Sequence, residues 1–223
     1  MTQQLTFDWP IGVALGPEDF FVAPANAQAY AMLAAPDTWP DLNWVITGPA
    51  GSCKSHLARV AQAQLAGQIY DSRALPNTLP NAGEVVIVED MELLPATSQE
   101  FMFHVHNHLR NTSGYLLMTA QTVPSRWPLT LPDLASRMQA ATVTRIDDPD
   151  DGLLAALIMK LMADRQIMPP PALVNYLVPR VERSFAAAAE IVAALDCESL
   201  SSGRAINIKL AATLLDKAGN SGR

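Results

Sequence analysis

Cysteine is nearly absent: the chain of 223 residues holds only Cys53 and Cys197, far apart. Two isolated thiols make neither a disulfide framework nor a zinc-ligand spacing, which suits a reducing compartment. No apolar run approaches the ~18 residues needed to cross a bilayer, so no membrane association is expected. Met1-Thr2-Gln3-Gln4 has neither the basic start nor the apolar core of a signal peptide. Together these absences predict a cytoplasmic protein. Positive charge is scarce as well: 15 Lys and Arg face 22 Asp and Glu, for a net charge of -7. That balance argues against broad nucleic-acid binding by the whole surface and leaves room only for a local basic patch. Internal repeats and low-complexity tracts are missing too. With 49% hydrophobic and 17% charged residues the composition is globular. The length suits one large domain, or a medium domain with a small one.

One short stretch organises what is there. Trp44-Val45-Ile46-Thr47 reads as a buried strand and runs into Gly48-Pro49-Ala50-Gly51-Ser52-Cys53-Lys54-Ser55. This is the spacing of a phosphate-binding loop followed by a helix, with Cys53 where the pattern has its last glycine. In such a loop successive N–H groups curl around phosphate oxygens and the helix points its positive end at them. Lys54 would neutralise the β- and γ-phosphates, and the Ser55 hydroxyl would hold Mg²⁺. Cysteine lacks the backbone freedom of glycine, so Cys53 is expected to weaken nucleotide binding without erasing it.

Strand and helix signals alternate along the chain. Helices are predicted at about 25–35, 54–66, 98–111 and 133–138, and strands at about 42–47, 69–71, 84–89, 115–119 and 141–146. Leu75 to Gly83 and Pro124 to Pro132 read as loops. From Asp147-Asp148-Pro149, a helix-start signal, everything is predicted helical: about 150–165, 171–178, 182–195 and 206–218. The expected fold class is therefore α/β: a parallel sheet flanked by helices, with a small C-terminal helical domain. The expected divisions are a tail over 1–21, a nucleotide-binding domain over 22–146 and a helical lid over 147–223.

Glu89 and Asp90 close a run of buried strand residues. Beside a phosphate-binding loop, Glu89 would reach a hydrated Mg²⁺ and Asp90 would orient the attacking water. On its own the pair reads equally well as solvated acids at a strand end. Arg137, on the short helix before the last strand, is either a surface residue pairing with Asp133 or a cation offered to a neighbour's phosphate. Arg183 could contact phosphate from the lid side. His104, His106 and His108 have no acid or cysteine at metal-site spacing and read as histidines of a surface or amphipathic helix. Met159, Met162 and Met168 read as core packing. Near the N-terminus, Gln4-Leu5-Thr6-Phe7-Asp8-Trp9 alternates apolar and polar residues. It is either an edge strand or a linear motif that docks extended, with Leu5, Phe7 and Trp9 as anchors.

The segments Gly48 to Leu57, Val86-Ile87-Val88-Glu89-Asp90 and Leu131-Pro132-Asp133-Leu134-Ala135-Ser136-Arg137 together resemble the DnaA/Hda family of AAA+ replication-initiation proteins. The resemblance covers nearly the whole chain, and the segment ending at Arg137 is its most specific part. It implies an AAA+ fold, ADP or ATP with Mg²⁺ as ligands, Arg137 as an arginine finger and Arg183 as the lid arginine. It also implies that Thr119-Ala120-Gln121 carries the polar sensor. Gln4, Leu5, Phe7 and Trp9 are similar to the family's sliding-clamp motif, with Phe7 and Trp9 in place of leucines. The implied function is negative control of replication initiation: clamp binding, and stimulation in trans of ATP hydrolysis on DnaA, with weak hydrolysis of the chain's own. No basic helix-turn-helix segment follows the last helix, so sequence-specific DNA binding is not expected. Glu89-Asp90 departs from the family's acid order, which puts self-hydrolysis in doubt. A self-sufficient AAA+ ATPase of helicase-loader type is the alternative, and a small-molecule kinase is a weaker third. Homo-oligomerisation is left open.

Overall fold

The structure, a computed structural model, describes residues 20–221, with side chains described to residue 216. Five strands form a parallel sheet in the order β2-β3-β4-β1-β5. They are β1 (Asn43–Thr47), β2 (Gln68–Asp71), β3 (Val85–Glu89), β4 (Tyr115–Ala120) and β5 (Thr142–Arg145). Helices α1 (Ala27–Leu33), α2 (Lys54–Leu65), α3 (Gln99–Asn111) and α4 (Pro132–Gln139) occupy the crossovers and the approach to β1. Four more follow β5: α5 (Asp151–Ala163), α6 (Pro171–Leu177), α7 (Phe185–Ser202) and α8 (Ile208–Ser221).

The inner strands carry unbroken apolar stretches, Trp44 to Ile46, Val85 to Val88 and Leu116 to Met118, because both faces of the sheet are covered there. Successive residues feed opposite layers. Trp44, Ile46, Ile87 and Leu117 enter one core with α1 and α2. Val45, Val86, Val88, Leu116 and Met118 enter another with Met102 and Val105 of α3 and Leu134 and Met138 of α4. The first core does not end at the last strand. Leu153, Leu157 and Ile158 of α5 join it, with Phe185 and Val192 of α7 and Leu210 of α8. The helices after β5 therefore pack through the same apolar cluster as one face of the sheet.

Several boundaries differ from the sequence reading. The first turn of α5 is capped by Asp150, whose side chain accepts a hydrogen bond from Leu153 N–H at 2.8 Å. The capping residue thus lies after the Asp147-Asp148-Pro149 signal. Helix α7 starts later than predicted, because Ser184 caps it by accepting from Ala187 N–H at 3.1 Å. It also runs past Leu195 to Ser202, and the left-handed Gly203 (φ 65) ends it. Met162 is fully buried, but Met168 is 89% exposed and contributes nothing to the core, contrary to expectation. The tail that carries Gln4, Leu5, Phe7 and Trp9 lies outside the described residues.

Candidate nucleotide-binding site

In a parallel sheet every strand ends at the same edge. The segments after β1, β3 and β4 therefore meet there, and they carry the predicted loop, the acids and the sensor residues. The loop between β1 and α2 is tied to its neighbour strand by Gly48 N–H, which donates to Ala120 C=O at 3.2 Å. Gly51 has φ +78, and a Cβ placed on it would meet Phe185 Cβ of α7 at 3.2 Å. The glycine is thus needed both for its backbone angle and for the close approach of the helix above it. Cys53, just before α2, also sits in the left-handed region at φ 61 and ψ 18. The position has the backbone a glycine would take, imposed on a residue with a Cβ.

Lys54 is 7% exposed. Its ammonium donates to Gly48 C=O at 2.8 Å, Pro49 C=O at 2.8 Å and Ser52 Oγ at 3.3 Å. Burial lowers its pKa, and Glu92, then Asp90, Cys53 and Glu89, oppose that shift. Burial pushes the Cys53 thiol up, against the pull of Lys160 and Lys54. The loop borders a cleft of about 390 Å³ whose wall includes Ser55, Asp90 and Gln121, with Leu157 and Lys160 of α5 on the far side. A lysine, a run of loop N–H groups and a helix N-terminus on one cleft wall can hold a polyphosphate.

The two predicted acids sit in different surroundings. Asp90 lines the cleft, and its turn is left-handed at φ 55. Its carbonyl accepts from Ser72 Oγ at 2.7 Å, and its N–H lies 3.4 Å from Thr119 Oγ1. Thr119 therefore supports the acid turn from the neighbouring strand. Glu89 ends β3 half-buried, with Oε1 buried and unpartnered among the described residues. Glu92 was not singled out from the sequence. Its Oε1 accepts from Gln121 N–H at 2.8 Å and its Oε2 is buried without a partner among the described residues. Only the turn after β3 brings this residue beside Lys54, and no motif spacing marks it.

No group of three or more His, Cys, Asp or Glu side chains among the described residues is arranged to hold a metal by itself. Mg²⁺ keeps several waters and binds through one or two protein oxygens plus substrate phosphates. Ser55 lines the cleft, and Glu89, one residue before the cleft-lining Asp90, has a side-chain oxygen without a partner among the described residues, so protein oxygens for that mode lie in this region.

Neither predicted arginine lines this cleft. Arg183 makes a two-point ion pair with Asp151, at 2.8 and 3.0 Å. The pair joins the segment before α7 to the start of α5. Arg137 is exposed in the last turn of α4 and pairs with no acid among the described residues, Asp133 included. It borders a small hollow with Asn43, the first residue of β1, and with His106 and Arg110 of α3. That is the start edge of the sheet, while the phosphate-binding loop follows the end of β1. Five strand residues separate the edges, on the order of 15 Å. His106 is buried at 6% exposure, whereas His104 is exposed, so α3 is amphipathic with His106 on its inner face. The helix turns His106 inward towards α4, an orientation that its polar neighbours in sequence do not reveal. Burial lowers its pKa, a hydrogen bond with the Asn107 side chain opposes that, and Arg137 and Arg110 add to the lowering while Asp41 resists it.

No protein-family model matches the chain. In sequence it is similar to the chromosomal replication initiator protein DnaA of Cutibacterium acnes, 24% identical over 212 residues. That match covers 81% of this chain and 42% of the relative. It is also similar to DnaA of Campylobacter jejuni, 21% identical over 225 residues, covering 89% of this chain and 51% of the relative. The chain thus spans about half the length of the curated relatives it matches. In structure it is similar to domain III of Thermotoga maritima DnaA, with a TM-score of 0.70, 18% identity and coverage of 91% of this chain and 95% of that one. AMPPCP-bound DnaA from Aquifex aeolicus has a TM-score of 0.62, with 14% identity and coverage of 83% and 66%. The fold is the AAA+ P-loop fold, and the sequence relationship to DnaA is distant.

Proposed function

We propose that this chain is an Hda-type negative regulator of chromosomal replication initiation, acting in the cytoplasm. In this reading Gln4, Leu5, Phe7 and Trp9 dock on the DNA polymerase sliding clamp. Arg137 is presented to ATP held by DnaA and promotes its hydrolysis. Residues 22–146 form the nucleotide-binding domain and 147–223 the lid, with ADP between them as a structural ligand. Lys54 would exchange its bonds to Gly48 and Pro49 for phosphate oxygens. Arg183 would reach phosphate by leaving Asp151. Mg²⁺, held at Ser55 and Glu89, would supply countercharge to the phosphates.

The observation that carries the proposal is the position of Arg137. It is exposed, free of an acid partner among the described residues and on the sheet edge opposite the chain's own phosphate-binding loop. A guanidinium there is badly placed for a nucleotide in cis and well placed for one in an adjoining molecule. Its planar fork and permanent charge match phosphate oxygens. The distant similarity to DnaA supports the choice of partner.

The test is ATP hydrolysis by purified DnaA, with and without this protein, on DNA with or without loaded clamp. The expected result is acceleration only when protein, clamp and DNA are all present. Steady ATP turnover by the protein alone, with no effect on DnaA, would favour the self-sufficient ATPase.

A further inference from the structure

We propose that Arg110 is a second cation of the same trans-acting surface, converging with Arg137 on one terminal phosphate above a hollow floored by Asn43 and His106. The inference rests on the reading of Arg137 given above and adds a residue to it.

The hollow has a volume of about 30 Å³, roughly room for one water. Asn43 and His106 are 3% and 6% exposed. Asn43 Oδ1 and His106 Nδ1 are buried without hydrogen-bond partners among the described residues. Buried polar atoms are almost always satisfied, so these two call for an oxygen- or proton-bearing ligand from outside the protein framework. The rim is cationic. Arg110 and Arg137 occupy the last turns of α3 and α4, two helices packed against each other. Each complements the negative end of its own helix, which accounts for a cation at either position but not for both bordering one hollow. Asp41 is the acid on the rim, 3.7 Å from Arg110 and 67% exposed. An ion pair that long and that exposed holds Arg110 weakly. Two guanidinium groups against one loosely held carboxylate make a local positive site on a chain whose net charge is -7. Burial and both arginines lower the pKa of His106, against a hydrogen bond with Asn107 and the charge of Asp41.

Arg110 would leave Asp41 and add its donors to the phosphate that Arg137 contacts. Asp41 is then a resting counter-ion, and its removal should help rather than harm. The test is stimulated ATP hydrolysis on clamp-bound DNA, with ATP-loaded DnaA and the full chain. The variants are Arg110→Gln, Arg110→Lys, Asp41→Asn and Arg137→Ala. Arg110→Gln should lower the stimulated rate about tenfold, the scale of one charge-assisted hydrogen bond. Arg110→Lys should recover part of that loss. Asparagine tolerates the left-handed backbone of Asp41 (φ 52), so Asp41→Asn should stimulate as well as the parent or better. A parent-like rate in Arg110→Gln with an inactive Arg137→Ala overturns the second-cation assignment and leaves the proposed function standing. A loss in Asp41→Asn equal to that in Arg110→Gln overturns it as well, since the ion pair itself would then be what matters. Parent-like rates in both arginine variants overturn the reading of Arg137, and this inference falls with it.

Discussion

Replacing Cys53 by glycine and, separately, by alanine isolates the backbone cost at the centre of the phosphate-binding loop. Cys53 has φ 61 and ψ 18. A residue with a Cβ pays about 1–2 kcal/mol in that region. Glycine avoids this penalty but loses about 0.4–1 kcal/mol through the greater freedom of its unfolded chain. Alanine keeps the penalty and, like glycine, removes the half-buried thiol. The glycine variant should therefore be more stable than the alanine variant by roughly 0.5–1 kcal/mol, the difference of the two effects. For a chain of this length that corresponds to about 1–4 °C in Tm. The same preference should raise the fraction of loops in the left-handed conformation, and so tighten ADP binding by up to about fivefold over alanine. Thermal melting and calorimetric titration with ADP measure the two effects. A glycine variant no more stable than the alanine variant, with equal ADP affinity, would refute the claim that this left-handed residue strains the loop.

Two further outcomes follow from the geometry. Gly51→Ala places a Cβ 3.2 Å from Phe185 Cβ at a φ of +78, so it should lower stability by about 1–3 kcal/mol, read as a fall in urea midpoint. For His106 the folded-state pKa lies below the unfolded value near 6.5. The unfolded chain then takes the proton first on acidification, so this contribution is complete above about pH 6.5 and is lost as pH falls. Denaturation between pH 7 and 5 should show a shallower slope in His106→Phe than in the parent; an unchanged slope would show that His106 titrates alike in both states.

The sheet and the phosphate-binding loop were legible because their signals are local. Unbroken apolar runs mark Trp44 to Thr47 and Val85 to Val88 as strands covered on both faces, and both are buried. The loop was readable from Gly48, Gly51, Lys54 and Ser55, and Cys53 stood out as the position under strain. What escaped depends on contacts distant in sequence. Glu92 reaches the site through a short turn after β3 and a bond to Gln121, 29 residues away. Arg183 meets Asp151 across 32 residues. His106 faces inward where α3 packs on α4, while Met168, apolar in type, falls on the connection between α5 and α6 and is 89% exposed. The end of α7 was misjudged because Asp196 to Ser202 is polar yet contains no breaker. Asp196 pairs with Arg165 at 3.6 Å, and the helix runs on to the left-handed Gly203.

The central claim is that Arg137 acts on a nucleotide held by another molecule. The most direct measurement compares Arg137→Ala and Arg137→Lys with the parent in three assays: ADP binding, clamp binding and stimulation of ATP hydrolysis on DnaA. Trans-acting arginines contribute roughly 10³–10⁵ in rate in other NTPases, and lysine keeps the charge while losing the fork. Both variants should bind ADP and clamp as the parent does and lose most of the stimulation. Stimulation that survives in Arg137→Ala, or a loss of the protein's own ADP binding in that variant, would contradict the account.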